Sequence, residues 1–159
     1  MPQIKLDAID RKILENLQRD SRLTNLELAD RVALSPSPCL RRVRRLEKDK
    51  LIESYGARLD RRLLGLGITA FIGVRVESHT AEVAGRFRKT LLAMPEVIAC
   101  YIISGEHDLL LHVVVPDLDE YRRFTLERLL RVPGVKGIHS NFVIEAIKEN
   151  APLPLHHLG

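Results

Sequence analysis

The sequence predicts an α+β fold in two parts, and three observations carry that expectation. Residues 6–50 hold three amphipathic helical stretches and no β-rich run. From Ile68 onward β-rich and helical stretches alternate. That alternation also repeats itself, since Pro95 and Val97 in MPEV return 38 residues later as Pro133 and Val135 in VPGV. A chain of 159 residues with 45% apolar content is long enough to bury a core, or two small ones.

The first helical stretch, LDAIDRKILENLQRD, puts Leu6, Ile9, Ile13, Leu14 and Leu17 on one stripe, with Asp7 and Asp10 placed to cap its start. In LTNLELADRV, Thr24 and Glu27 form a T-x-x-E capping box flanked by Leu23 and Leu28, so a second helix begins there and ends near Arg31 or Val32. SPSPCLRRVRRLEKDK then begins a third. The first helical turn has N–H groups without partners, so a proline loses nothing there, and Ser35 with Pro36, or Ser37 with Pro38, reads as cap and first turn. Cys39, Leu40, Val43 and Leu46 share its inward face; Arg41, Arg45 and Lys48 lie opposite, with Arg42 and Arg44 on the flanks. Residues 35–52 carry an excess of four positive charges, equal to the net charge of +4 for the whole chain. The positive field is therefore local.

Two short helices joined by a tight turn, the second one basic, match a helix-turn-helix (winged-helix-like) domain over residues 1–52. In that arrangement the second helix enters the major groove of double-stranded DNA. Ser35, Ser37, Arg41, Arg42, Arg44, Arg45 and Lys48 are the expected contacts to base edges and phosphates.

Residues 53–67 read as a short strand, within LIESYGARLD, and a linker broken by Gly65 and Gly67. The next span, residues 68–148, holds ITAFIGVRVE, the helical TAEVAGRFRKTLLA with Val83, Phe87 and Leu91 aligned, and VIACYIISG. It continues with DLLLHVVV, LDEYRRFTLERLLRV and VKGIHSNFVIEAI. Two β-α-β halves make a ferredoxin-like βαββαβ domain with both helices on one sheet face. Phe71, Tyr101, Ile103 and Phe142 are expected on the outward face, where a second copy of the chain is the simplest cover. Residues 149–159, with Pro152 and Pro154, read as an extended C-terminal tail.

Other classes find little support. Cys39 and Cys100 are far apart and lack CxxC or Cys/His spacing, which suits a reducing, cytoplasmic setting and neither a zinc site nor a disulfide framework. MPQIKLDAID turns acidic and polar before any apolar run, so no N-terminal signal is expected. The most apolar stretch, Leu63 to Val74, falls short of a membrane span. His107 and His112, five apart, should not share a strand face, and His139, His156 and His157 show no ligand partners, so no metal is expected. There is no nucleophile elbow, GxGxxG or phosphate-binding loop, so neither an enzyme nor a cofactor is expected.

The hairpin ISGEHDLLLHV has two readings. Gly105 can supply a turn conformation while Asp108 satisfies loop amides. Alternatively, N–H groups around Gly105 hold a carboxylate while Asp108 pairs with an ammonium, the two ends of a free amino acid. The residues by themselves favour the turn.

LDAIDRKIL, LTNLELADRVALSPSPCLRRVRRLE and G-x-x-D-L-L-L, in that order and over nearly the whole chain, resemble the leucine-responsive regulatory protein/asparagine-regulator family (Lrp/AsnC) of prokaryotic transcription factors. LSPSPCLRRVRRLE looks closest to its leucine-responsive branch. The resemblance implies a DNA-binding N-terminal domain and a C-terminal domain that dimerises and binds an amino acid, leucine or another. It also implies assembly of dimers into higher rings, commonly octamers. The effector would sit beside the hairpin of Ser104, Gly105, Glu106, His107, Asp108 and Leu109, with Asn141. That reverses the preference for a mere turn. One departure is Lys50, where the family usually has glycine just after the third helix. In the left-handed conformation, lysine costs on the order of 1 kcal/mol relative to glycine. Two rivals to an amino-acid-responsive, sequence-specific regulator of amino-acid metabolism genes stand beside it: a nucleoid-type architectural DNA protein and a metabolite-binding module or enzyme.

Overall fold

The computed structural model describes residues 5–77 and 81–158, apart from the side chains of residues 81–84 and 86. The expected inward placement of Val83 and a helix start at Thr80 lie outside what is described. The chain forms two compact units, Met1–Arg58 with Lys148–Gly159, and Leu59–Ile147.

The helical unit holds α1 (Ala8–Arg19), α2 (Asn25–Arg31) and α3 (Pro36–Lys48). Each start is chemically marked. Asp7 accepts from the N–H groups of Ile9 and Asp10, while the Asp10 carboxylate accepts from Asp7 N–H in return. Thr24 and Glu27 form the same reciprocal box at α2. At α3, Ser35 is the cap residue and Pro36 opens the first turn, but the serine hydroxyl makes no capping bond. Instead, Asn25 Nδ2 donates to the Pro36 carbonyl at 2.9 Å and ties the start of α3 to α2. Ile13, Leu28, Ala29, Val32, Cys39 and Leu46 form the core, with Leu6, Ile9, Leu14, Leu17 and Val43 packed at its margin. Leu40, expected inside, lies at the edge and is partly exposed.

Both α2 and α3 stop the same way. Leu34 N–H returns to the Ala29 carbonyl and Ala33 N–H to that of Asp30; Leu51 and Lys50 repeat the pattern onto Leu46 and Glu47. This six-to-one and five-to-two pairing needs a left-handed residue, and here that residue is Ala33 (φ 56°) and Lys50 (φ 58°) rather than glycine. Lys50 thus adopts the conformation in question and leaves the helix end intact.

LIESYGARLD forms no strand, contrary to the sequence expectation. An isolated extended segment has nothing within its own unit to complete a ladder. Its anchor is a side chain, since Tyr55 donates to Glu47 of α3 at 2.9 Å. The tail is extended but docked: Leu153 N–H donates to Gln18 Oε1 at 2.6 Å, Gln18 Nε2 donates back to the Leu153 carbonyl, and Arg11 donates to the Leu158 carbonyl.

The sheet unit holds β1 (Ile68–Val76), α4 (Ala81–Leu92), β2 (Val97–Ile102), β3 (Leu109–Val115), α5 (Leu118–Arg123) and β4 (Val135–Phe142). The sheet is antiparallel in the order β2-β3-β1-β4, as a ferredoxin-like domain requires. Ala70, Ile72 and Val74 of β1 alternate with Leu111, Val113 and Val115 of β3 to build one face. Phe87, Leu91, Phe124 and Leu129 cover it from the helices. The last helix is less regular than its sequence suggests. After α5 it widens to a π-turn at Phe124–Arg128 and tightens to a 3-10 turn at Leu129–Arg131. Thr125 Oγ1 donates to the carbonyls of Tyr121 and Arg122, competing with the regular ladder, while Phe124 and Leu129 are both buried.

The opposite sheet face carries Phe71, Leu110, His112 and Tyr101, as their pairing requires. One expectation fails here, that of Phe142. Phe142 pairs with Ala70, which faces the helices, and meets the Tyr121 ring edge-on at 4.7 Å. Ile103 lies past the end of β2 in the hairpin, held by its N–H to the Asp108 carbonyl.

Candidate DNA-contacting face and effector hairpin

Helix α3 sorts its cations by angle. Stepping about 100° per residue, Ser37, Arg41, Arg44 and Lys48 fall within about 60° of one another, opposite Cys39, Val43 and Leu46. Arg45 was expected opposite the core beside Arg41 and Lys48, but it turns with Arg42 toward α1 because Asp10 there supplies a carboxylate. Arg42 Nη1 donates to Asp7 Oδ2 at 2.7 Å and to Asp10 Oδ1 at 2.8 Å, and Arg45 Nη2 pairs with Asp10 Oδ2. Asp10 is buried at 1% exposure, so it is a carboxylate kept out of water by two guanidiniums and one N–H. The Asp10 N–H, and after it Arg42, hold the Asp7 carboxyl below its ordinary range. The hydrogen bonds that Arg42 donates to Asp7 and Asp10 raise its own pKa further.

Arg41, Arg44 and Lys48 have no carboxylate partner among the described residues. With Arg42 and Arg45 they line an open concavity of about 450 Å³ whose walls are all cationic. Ser35 and Ser37 stand at the start of α3, Ser35 with its hydroxyl outside any capping bond. Six of the seven expected residues thus share α3, with Ser35 as its cap, but they divide by contact. Asp7 and Asp10 were legible only as caps, and nothing in their spacing announced a pairing with α3.

The hairpin between β2 and β3 folds back onto the end of β1. Asp108 Oδ2 accepts from Val76 N–H at 2.8 Å, two residues beyond Val74–Leu109, the last β1–β3 pair. Asp108 therefore satisfies a loop amide, as the turn reading expects. Arg75 holds the tip, donating to the Glu106 carbonyl at 3.1 Å and to its carboxylate at 2.9 Å. Gly105 at φ 123° takes the turn that other residues rarely adopt. The His107 ring lies over Gly73, where an added Cβ would stand 2.6 Å from the ring.

His107 is thereby carried onto the open sheet face that also holds His112, which stacks on Phe71 at 4.6 Å. The expectation that these histidines occupy different faces is wrong, because His107 belongs to the returning loop and not to the strand. His139, opposite Gly73, brings its ring to 5.8 Å from that of His107. Asn141, two residues along β4 and opposite Phe71, joins the same face. Ser104, Gly105 and Glu106 are exposed at the tip; His107, Asp108 and Leu109 are half-buried. Among the described residues, no group of three or more metal-ligating side chains forms. Sequence reasoning missed Gly73 and Arg75. Arg75 had a signal, a lone cation in an otherwise apolar strand.

A capped basic helix packed on a three-helix core is the arrangement of a DNA-contacting helix, and a separate α+β sheet unit accompanies it. Residues 6–53 match the family described as winged helix-turn-helix DNA-binding, and residues 69–153 match the Lrp/AsnC ligand binding domain. The chain belongs to the Lrp/AsnC family of transcriptional regulators, and its relatives are regulators rather than enzymes. It is 40% identical over 149 residues to the leucine-responsive regulatory proteins of Klebsiella pneumoniae and Escherichia coli K12, covering 94% of this chain and 91% of each relative. A transcriptional regulator from Neisseria meningitidis, solved as an L-Met complex, superposes with a TM-score of 0.93 at 42% identity, covering 96% of this chain and 99% of that one. An AsnC family transcriptional regulator from Agrobacterium tumefaciens gives 0.91 at 38% identity, with the same coverage.

Proposed function

We propose that the chain is a sequence-specific regulator that reads an operator with α3 and changes its DNA affinity when a free amino acid binds beside the 104–109 hairpin. The single observation that carries the DNA reading is the stripe of Ser37, Arg41, Arg44 and Lys48, three cations without carboxylate partners among the described residues on a helix whose inner face is core. Arginine near the helix start can grip guanine through two bonds, and the remaining cations neutralise phosphate. Ser35, at the cap, supplies a further donor.

The amino-acid reading rests on the match to the Lrp/AsnC ligand binding domain and on the neighbour solved with L-Met. It gains support from a hairpin held by Asp108, Arg75 and the His107–Gly73 contact, with Gly105 exposed at its tip. Gly105, His107, Asp108 and Asn141 would surround the effector, leucine or another apolar amino acid, with Ser104, Glu106 and Leu109 at the margin. The apolar face of Phe71, Leu110 and Tyr101 suits a second copy, and dimers joining into a larger ring, an octamer in this reading, would place hairpins beside neighbours. The setting is the cytoplasm and the targets are genes of amino-acid metabolism. No described helix is long and apolar enough to cross a membrane.

Calorimetric titration with single L-amino acids tests the effector half. Saturable binding of leucine, methionine or a similar apolar amino acid, weakened at least tenfold by Asn141→Ala, is expected. A panel without any binder would remove the hairpin from the account.

A further inference from the structure

Asp10 does more than cap α1. Its carboxylate is buried, yet it faces two of the five cations that line the α3 concavity. Oδ1 accepts from Arg42, and Oδ2 accepts from Arg45 and from Asp7 N–H. Asp7 adds a second carboxylate to Arg42 at 2.7 Å. A buried carboxylate with paired guanidiniums does not exchange them readily for a phosphate, because withdrawal of either one leaves the buried Asp10 with less counter-charge. Contact rather than angle sets Arg45 apart, since it stands only about 40° from Arg41 around α3 and yet pairs with Asp10.

We propose that Asp10 is a positioning residue of the DNA-contacting face: it locks Arg42 and Arg45 against α1, fixing the rotation of α3, and withdraws both from phosphate contact. The groove charge is then carried by Arg41, Arg44 and Lys48. The count of basic residues on α3 overstates the number of counterions that DNA binding releases. This rests on the DNA-binding reading.

The salt dependence of binding separates this role from simple structural support. Each phosphate neutralised contributes about 0.9 to the slope of log affinity against log salt. The experiment uses the full chain and a fluorescent duplex carrying the gene's own upstream region, titrated from about 50 to about 200 mM salt. Arg41→Ala is expected to flatten the slope by about 0.9, whereas Arg45→Ala leaves it unchanged and lowers the thermal midpoint. Asp10→Asn, which keeps the shape and removes the charge, is expected to steepen it by about 0.9 to about 1.8 as one or both arginines reach phosphate. Should Asp10→Asn fail to fold, Arg45→Ala against Arg41→Ala decides the matter. Equal flattening by those two variants would overturn the proposal, because Arg45 would then be on phosphate. A wild-type chain that binds no duplex would overturn the DNA reading itself, a result distinct from that one.

Discussion

At the level of single residues, the helix starts are held by partners that lie within three positions in sequence. The Asp7–Asp10 and Thr24–Glu27 boxes follow from spacing alone. The pairing of Asp10 with α3 was not legible, since it spans 35 positions and depends on how the helices pack. Lys50 shows the cost of a departure from glycine. Its φ of 58° is affordable but strained, so Lys50→Gly is expected to stabilise the chain by about 1 kcal/mol in urea unfolding. No gain would mean that the lysine side chain makes a compensating contact. Asp7 gives a pH prediction with a definite sign. Its carboxyl is held below the usual 3.8, so its contribution is full above that value and is lost as pH falls through the lower, folded-state value. Asp7→Asn should therefore reduce the acid loss of thermal stability between about pH 5 and about pH 2. Identical acid profiles would show that Asp7 is not coupled to folding.

Among the elements, the helices and the four sheet strands were readable from period and repeat, and the 38-residue offset places the starts of β2 and β4 at Val97 and Val135. What failed were segments whose structure depends on a partner. LIESYGARLD has strand-like residues but no strand beside it, and the hairpin's return onto β1 is invisible to a periodicity that sees only alternation within a strand. That return makes Gly73 a sensitive position. Gly73→Ala would push a methyl into the His107 ring, displace the hairpin and weaken amino-acid binding tenfold or more by calorimetry, with DNA affinity in the absence of effector kept. Unchanged effector binding would separate His107 from the site. The tail offers a second element-level test. Gln18→Ala removes both side-chain bonds to Leu153, so amide exchange across residues 150–158 should rise several-fold, while that of α3 stays as it was.

For the molecule as a whole, the sequence carried the architecture and family resemblance, and the matches over residues 6–53 and 69–153 agree with both. The candidate site was legible by class and not by role. Arg41, Arg45 and Lys48 were expected opposite the core with Arg42 and Arg44 on the flanks, whereas the fold pairs Arg42 and Arg45 with Asp10 and leaves Arg41, Arg44 and Lys48 without a carboxylate partner among the described residues. Asp108 was read both as satisfying loop amides and as meeting a ligand's ammonium; it holds Val76 N–H, so Asp108→Ala should loosen the hairpin as well as any ligand. The central claim, that one chain joins operator reading to amino-acid sensing, is tested most directly by equilibrium binding to a duplex of the gene's own upstream region and to a scrambled duplex, at fixed near-physiological salt, with and without amino acids. The account predicts a specificity ratio of roughly a thousand or more that one amino acid shifts by about fivefold or greater. Equal affinity for both duplexes and no response to any amino acid would contradict it, and would leave an architectural DNA protein whose Gly105 hairpin is only a turn.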